Sequence, residues 1–240
     1  MRRSTRRWRR SGEALPLLTI LPAGAVAAEI DEAEGEDFLA GLHPEERAAI
    51  EGAGERRRRE FAAGRECARR ALRRLGVEAC ALPVGGDGAP VWPPGIVGSI
   101  THKGSYRAAA VARVDDVLRG IGIDAEVDDP LPTGVLETIA TPVEVAQVEA
   151  LLGERPGARW DRLLFSAKEA AVKAARSVGP VAGVREVVVR IDDQASSYTA
   201  STARDDAAWV ANGAWMCRDG LILTAAGVPS GSGAVWTCVA

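Results

Sequence analysis

The sequence predicts an α+β protein built from two comparable halves that meet near residue 121. A helical pattern followed by short strand patterns occurs twice along the chain. The composition also suits a globular core, since 47% of the 240 residues are hydrophobic and 26% are charged. Collagen, low-complexity disorder and a coiled-coil rod are excluded. We predict a tail over 1–16, a first half over 17–121 and a second half over 122–240.

The first segment of the chain is basic and then apolar. Six arginines among the first ten residues precede a hydrophobic run, a combination that imitates a secretory signal. Pro16 and Pro22 interrupt the run, and no disulfide-rich chain follows it. We therefore interpret the arginine-rich segment as a disordered tail and predict a first strand near Leu17–Ile20. No stretch of about 20 apolar residues exists to span a membrane.

Two helices come next, over 44–51 and 55–75. Apolar residues of the second helix recur at helical spacing, and Gly76 stands where a C-terminal cap belongs. The opposite face of this helix is rich in arginine. Nucleic-acid binding is nevertheless disfavoured, because no aromatic residues alternate with the arginines and the second half of the chain is acidic.

The remaining elements are predicted from residue alternation and turn residues. We expect strands over 96–100, 106–113 and 119–126, helices over 134–139, 142–152 and 159–176, and an antiparallel sheet from segments 187–191, 209–215 and 221–225.

The predicted strand over 119–126 carries two acidic residues on one face. Because side chains alternate along a strand, Gly122, Asp124 and Glu126 point to the same side. Two converging carboxylates suit a hard divalent cation that also binds a phosphate substrate. The alternative is a strand end that becomes polar at the surface.

The helix over 159–176 carries a Lys-Glu pair beside its apolar stripe. Lys168 borders the stripe and Glu169 lies opposite it, with Lys173 nearby. A solvated face with an i,i+4 Glu–Lys pair is one interpretation. Phe165 argues against it, since an apolar residue on that face indicates that something covers the surface.

A small-residue segment, Gly98–His102, offers two hydroxyls and a histidine directly after a predicted strand. Backbone N–H groups and an imidazole at such a place can contact a phosphate, although a structural turn has the same composition. The four cysteines form no CxxC pair and have no nearby histidine cluster, which predicts reduced thiols and a cytoplasmic protein.

Five motifs in order resemble the 4′-phosphopantetheinyl transferases, in particular the single-chain enterobactin-type branch of actinobacterial secondary metabolism. The resemblance covers roughly residues 17–225. The motifs are Gly64–Leu72, Gly88–Pro93, Gly98–His102, Gly122–Glu126 and Phe165–Ala170. The family implies two α+β halves related by a pseudo-twofold axis, with coenzyme A bound in the cleft between them.

The resemblance assigns the acidic residues to a metal site. Asp124, Glu126 and Glu169 would hold Mg²⁺, with Mn²⁺ as an alternative, and Glu169 would also take the proton from the acceptor serine. Lys168 and Lys173 would neutralise the diphosphate as 3′,5′-ADP leaves. These are the residues that we predict to be catalytic.

The resemblance assigns the other end of coenzyme A to the first half. His102, with Arg57 and Arg65, would bind the 3′-phosphate and adenosine, and Ser99 and Thr101 would help from the small-residue segment. The predicted partners are acyl or peptidyl carrier proteins of polyketide or nonribosomal peptide (antibiotic) biosynthesis. We expect a monomer that binds neither nucleic acid nor membrane.

The chain departs from the family pattern in two places. Relatives often carry a lysine before the Gly-x-Pro-x-Trp-Pro motif, but residues 83–88 contain none. The family also places aromatics after the Lys-Glu motif, where this chain has Lys173–Arg176. These departures motivate an alternative function, a degenerate homologue that binds coenzyme A or a carrier domain without turnover. A metal-dependent phosphodiesterase, with water as the nucleophile, is a more distant alternative.

Overall fold

The computed structural model describes residues 16–31, 37–115, 117–179, 183–202 and 209–231. The predicted arginine-rich tail, apart from Pro16, lies outside these ranges. The helices are α1 (Pro44–Ala48), α2 (Glu55–Arg74), α3 (Val135–Ile139), α4 (Pro142–Glu154) and α5 (Trp160–Ala175). The strands are β1 (Val26–Asp31), β2 (Ile96–Lys103), β3 (Tyr106–Arg113), β4 (Leu118–Val127), β5 (Val187–Asp192), β6 (Ser197–Thr202), β7 (Val210–Arg218) and β8 (Leu221–Pro229).

Two antiparallel sheets form the centre of the fold. The first has the strand order β1-β3-β2, and the second has the order β4-β8-β7-β6-β5. The long helix α2 packs on the first sheet through small and aliphatic residues, and α5 packs on the second in the same way. The sheet faces turned away from these helices meet in one shared core with the segment Pro16–Ile20. The predicted α+β class is confirmed.

The two sheets are joined edge to edge by side chains. Strand β2 ends the first sheet and β4 ends the second. The Ser99 hydroxyl accepts a hydrogen bond from the Ile123 N–H at 3.0 Å, and the Thr101 hydroxyl accepts one from the Ala125 N–H at 3.1 Å. These bonds satisfy buried backbone donors at a sheet edge and fix β4 against the first half.

A buried glutamate near the start of a short helix occurs in both halves. Glu46 of α1 and Glu144 of α4 each follow a proline by two residues, and both are fully buried. Each accepts the backbone N–H of its own N-cap residue, His43 at 3.0 Å and Thr141 at 2.8 Å. The same local geometry therefore begins α1 in the first half and α4 in the second.

The same two glutamates each bind a cation of the long helix in their half. Arg69 of α2 donates to Glu46 at 3.0 Å, and Lys168 of α5 donates to Glu144 at 2.8 Å. Each glutamate also accepts a backbone N–H from a later segment, Leu82 for Glu46 and Val189 for Glu144. This repetition supports a proposal that the halves are structurally related.

Two elements differ from the sequence prediction. The segment Pro16–Ile20 is a 3₁₀ helix and not a strand, and the first strand begins at Val26. Its buried residues Leu17 and Ile20 are three apart, which is the repeat of a 3₁₀ helix. Strand β6 was missed because its alternation is carried largely by serine, threonine and alanine.

The predicted boundary at residue 121 falls inside β4, which belongs as a whole to the second sheet. The α2 helix ends as predicted, with Leu75 as its C-cap and Gly76 in the left-handed region at φ 73°. Within the described ranges, none of the helices combines the length and apolar character needed to cross a membrane.

Candidate active site

The face of β4 that carries Asp124 and Glu126 lies directly against α5. Gly122 permits this approach, because a Cβ atom at that position would lie 1.9 Å from the Ala170 carbonyl oxygen. A Cβ atom at Gly120 would likewise lie only 2.2 Å from the Ala174 carbonyl oxygen. The glycines therefore let the backbone of β4 contact the helix backbone, which places Asp124 and Glu126 beside α5.

Gly122→Ala is expected to lower the free energy of unfolding by about 1–3 kcal/mol, because the new methyl group must push β4 away from α5. Urea denaturation measures this change. Gly153→Ala is the control, since Gly153 lies in α4 with open space around its Cβ position. That control should leave stability unchanged or raise it by up to about 1 kcal/mol. Equal effects of the two substitutions would contradict the close approach at β4.

Asp124 is buried and engages both of its carboxylate oxygens. Lys173 donates to Oδ1 at 2.7 Å, and the Ser166 hydroxyl donates to Oδ2 at 2.9 Å. The Thr101 hydroxyl lies 3.5 Å from Oδ1. The carboxylate is thus held in one orientation by groups from β2 and α5.

Glu126 is held by two cations. The same carboxylate oxygen, Oε2, lies 2.7 Å from Lys103 Nζ and 3.0 Å from Arg162 Nη1. Arg162 also donates to the carbonyl oxygens of Asp129 and Pro130. The segment that follows β4 is therefore fixed to both Glu126 and the first turn of α5.

Glu169 is half-buried on the face of α5 that meets β4. Burial raises the pKa of its carboxyl group, and Asp124 and Glu126 raise it further, whereas Lys173 and Arg176 lower it. Glu169 makes no hydrogen bond or ion pair with any other described residue. Three carboxylates therefore share one electrostatic environment, and Glu169 is the one that makes no direct ion pair with a described residue.

The donor set of these carboxylates suits a magnesium ion, which prefers oxygen ligands. The fit rests on this donor set, three carboxylates from β4 and α5; burial, and then the charges of Asp124 and Glu126, raise the pKa of Glu169, and a bound cation would oppose that rise. Among the described residues, no three histidine, cysteine, aspartate or glutamate side chains stand close enough together to hold a metal ion as they are. Lys173, Lys103 and Arg162 neutralise Asp124 and Glu126 in this arrangement.

A cavity of about 580 Å³ is lined by Lys173, which binds Asp124, whereas Asp124, Glu126 and Glu169 are not themselves among its lining residues. It lies between the first turns of α2, the segment 84–92, strand β2 and the last turn of α5, so that both halves form its walls. The indole ring of Trp92 lies on the backbone of Gly98, where a Cβ atom would approach the ring to 2.6 Å. The charged side chains and the histidine at its wall are Arg57, Glu60, Arg65, Asp87, His102, Lys173 and Arg176.

The charge at this wall is positive overall. Arg65 donates to the Leu82 carbonyl oxygen at 2.9 Å and lies over the Phe61 ring, and burial lowers the pKa of its guanidinium to about 10. Burial also lowers the pKa of His102, and Glu60 opposes that effect. A cavity with four cations and two acidic residues can bind a polyanion.

Lys168 does not reach this cavity, which corrects the sequence prediction. Its side chain is fully buried, and its ammonium group donates to Glu144 and to the carbonyl oxygens of Ile139, Val184 and Val187. Burial lowers the pKa of Lys168, and the hydrogen bond to Glu144 raises it. Lys168 thus belongs to the contact between α5, α4 and the start of β5, on the side of α5 away from Asp124.

The small-residue segment 98–102 is also placed differently from the prediction. It lies within β2 and not in a loop, since it pairs with β3 along its whole length, and its hydroxyl groups bind the edge of β4. Ser99 contributes to the cavity wall, but its hydroxyl accepts the Ile123 N–H. Thr101 does not line the cavity, and both contacts of its hydroxyl group run to β4. His102 lines the cavity.

Sequence reasoning did not identify Ser166, Lys103, Arg162 or Arg176 as site residues. Helical spacing could have found Ser166, because positions 166, 169 and 173 fall on one side of α5. Lys103 and Arg162 carried no such signal, since their contacts with Glu126 depend on how β2 and α5 pack around β4. Phe165, on which the expectation of a covered helix face rested, is half-buried.

Comparisons of the amino-acid sequence with known proteins give consistent matches. The model of the 4′-phosphopantetheinyl transferase N-terminal domain matches residues 45–112, and the model of the 4′-phosphopantetheinyl transferase superfamily matches residues 120–215. The chain is 39% identical to the 4′-phosphopantetheinyl transferase Svp of Streptomyces mobaraensis over 230 residues, which cover 90% of this chain and 91% of that protein.

Two further relatives match over shorter lengths. The 4′-phosphopantetheinyl transferase Npt of Nocardia iowensis is 49% identical over 156 residues, which cover 65% of this chain and 67% of Npt. The 4′-phosphopantetheinyl transferase PptT of Mycobacterium tuberculosis is 48% identical over 132 residues, which cover 55% of this chain and 56% of PptT.

Proposed function

Because this chain belongs to the 4′-phosphopantetheinyl transferase superfamily, we propose how its own residues carry out the reaction. The protein is a transferase that moves the 4′-phosphopantetheine arm of coenzyme A to a serine of a carrier protein. The observation that carries our proposal is the position of Lys173, which lines the cationic cavity and binds Asp124 at 2.7 Å. One residue thus connects a polyanion site with the carboxylates.

Coenzyme A fits the cavity by its charge. We assign the 3′-phosphate and adenosine to Arg57, Arg65 and His102, which line the wall formed by α2 and β2. Arginine suits phosphate recognition because its planar guanidinium donates two parallel hydrogen bonds. The diphosphate then extends toward Lys173 and the acidic face of β4. Ser99 can contact the coenzyme only from the cavity wall. Thr101 and Lys168 do not line the cavity and are therefore not part of the proposed binding site.

Asp124, Glu126 and Glu169 would hold the magnesium ion. When bound, the ion supplies positive charge to the diphosphate oxygens. Ser166 and Lys173 orient Asp124, and Arg162 orients Glu126, so that the ligands are positioned before the substrate arrives. Mn²⁺ offers the same preference for oxygen ligands.

The transfer itself is a displacement at phosphorus. The serine oxygen of the carrier forms a bond to the phosphorus that bears pantetheine, and the bond from that phosphorus to the bridging oxygen of the diphosphate breaks. The serine proton passes to the Glu169 carboxylate, whose raised pKa suits a proton acceptor. Lys173 neutralises the departing 3′,5′-ADP, so catalysis rests on positioning and electrostatics.

The partners and location are also proposals. We propose acyl or peptidyl carrier proteins of polyketide and nonribosomal peptide biosynthesis as acceptors, and a monomeric cytoplasmic enzyme that binds neither nucleic acid nor membrane. The thiols of Cys67, Cys80 and Cys217 are free, which supports a reducing compartment. Cys238 lies outside the described residues.

Incubation with coenzyme A, Mg²⁺ and a carrier protein is expected to add one phosphopantetheine arm to the carrier, as measured by intact-protein mass spectrometry. Fatty-acid, polyketide and peptide carriers, tested in parallel, would identify the acceptor class. Each carrier with its acceptor serine replaced by alanine is the control. Coenzyme A binding without a mass gain on any of the three carriers would support the non-catalytic homologue. Release of 3′,5′-ADP in the absence of a carrier would support the phosphodiesterase.

A further inference from the structure

We infer that Arg176 is a residue of the cavity that binds the diphosphate of coenzyme A. This inference rests on the proposed function, because it assumes that the cavity binds coenzyme A. The segment 84–92 forms one wall of that cavity and contributes Asp87 as its only charged side chain. That wall therefore supplies no cation to the diphosphate.

Arg176 supplies a cation from the opposite side. It is the C-cap residue of α5, one turn after Lys173, and both residues line the cavity. Three residues of separation place the two side chains on neighbouring positions of the helix surface. Two cations from one helix end thus stand at the same part of the wall.

The guanidinium of Arg176 is available for a ligand. Its side chain is exposed, and it makes no hydrogen bond or ion pair with any described residue. By contrast, Arg65 is bound to the Leu82 carbonyl oxygen and Lys173 to Asp124. An exposed guanidinium with unused donors can bind a phosphate oxygen pair without first breaking an internal contact.

The position of Arg176 selects the diphosphate over the 3′-phosphate. Arg176 follows Lys173 by one turn of α5, and Lys173 binds Asp124 at 2.7 Å. Arg57 lines the cavity from α2, in the other half of the fold. Arg176 therefore lies toward the reacting phosphates, whereas Arg57 lies toward the end that we assign to adenosine.

Calorimetric titration of the whole protein with coenzyme A and with dephospho-coenzyme A tests this inference, because the second compound lacks the 3′-phosphate and keeps the diphosphate. Arg176→Gln is expected to raise the Kd of both compounds by about the same factor, roughly five- to tenfold. Arg176→Lys should recover part of the loss. Arg190→Gln is the matched control, since Arg190 is exposed on β5 and is not part of the cavity wall.

Three outcomes would overturn the inference, and they can be told apart. Unchanged Kd values for Arg176→Gln, with normal binding by the unmodified protein, would overturn the role of Arg176 alone. Weaker binding of coenzyme A but not of dephospho-coenzyme A would move Arg176 to the 3′-phosphate. Failure of the unmodified protein to bind coenzyme A would overturn the proposed use of the cavity and this inference with it.

Discussion

Asp124→Asn is expected to lower the rate of phosphopantetheine transfer by at least about a hundredfold, because it removes a charge that the site uses to hold the cation. Stimulation of the rate by Mg²⁺ should be lost as well. Stability should fall by only about 1 kcal/mol, since the asparagine can still accept a hydrogen bond from Ser166 or Lys173. Carrier mass spectrometry over time and urea denaturation measure the two effects.

Asp192→Asn is the matched control for this substitution. Asp192 lies on β5, at the opposite end of the second sheet from β4, and its carboxylate accepts the Ala195 N–H, which an asparagine can also do. The control should retain full activity and stability. If Asp124→Asn transferred phosphopantetheine at the unmodified rate, the assignment of the metal site to β4 would be wrong.

Lys168→Met should lower the free energy of unfolding by about 3–5 kcal/mol, because it leaves the Glu144 carboxylate buried without its cation. The molecules that remain folded should keep their rate of transfer, since Lys168 does not line the cavity. Chemical denaturation measures the loss of stability, and turnover per folded molecule is measured at low temperature. A large loss of turnover with normal stability would return Lys168 to the catalytic residues.

Two further variants make this prediction sharper. Combining Lys168→Met with Glu144→Gln removes both charges and keeps an acceptor for the Val189 N–H, so the double variant should recover part of the lost stability. Lys173→Met is the comparison on the same helix, and it should reduce transfer much more than stability, because Lys173 is partly exposed at the cavity. Replacing Lys168 should therefore mainly reduce stability, and replacing Lys173 should mainly reduce activity.

Much of the fold could be predicted because periodicity is a local property. Strand β3 has the predicted bounds, and α2 and α5 differ from the prediction by one residue at most at each end. The segment 17–20 misled the prediction because its leucines and isoleucine fit a strand as well as a 3₁₀ helix. The burial of Leu17 and Ile20 against the shared core, with Leu18 exposed between them, decides in favour of the 3₁₀ helix.

The candidate site was predictable in part. Alternation along β4 correctly placed Asp124 and Glu126 on one face, and the motif order pointed to Glu169, Lys173 and His102. The assignment of Lys168 was wrong because a residue at the border of an apolar stripe can turn to either side. The hydroxyls of Ser99 and Thr101 were assigned to a ligand because the sequence does not show that the edge of β4 lies within their reach.

The amino-acid order alone determined the α+β class, the approximate positions of most elements, the family and the acidic strand, because each follows from residue spacing or motifs along the chain. Only the tertiary structure decided which polar side chains reach the cavity and which are used inside the protein. That choice depends on contacts between segments far apart in the chain, such as Lys168 with Glu144 and Ser99 with β4. A buried charge or hydroxyl must find a partner wherever packing supplies one.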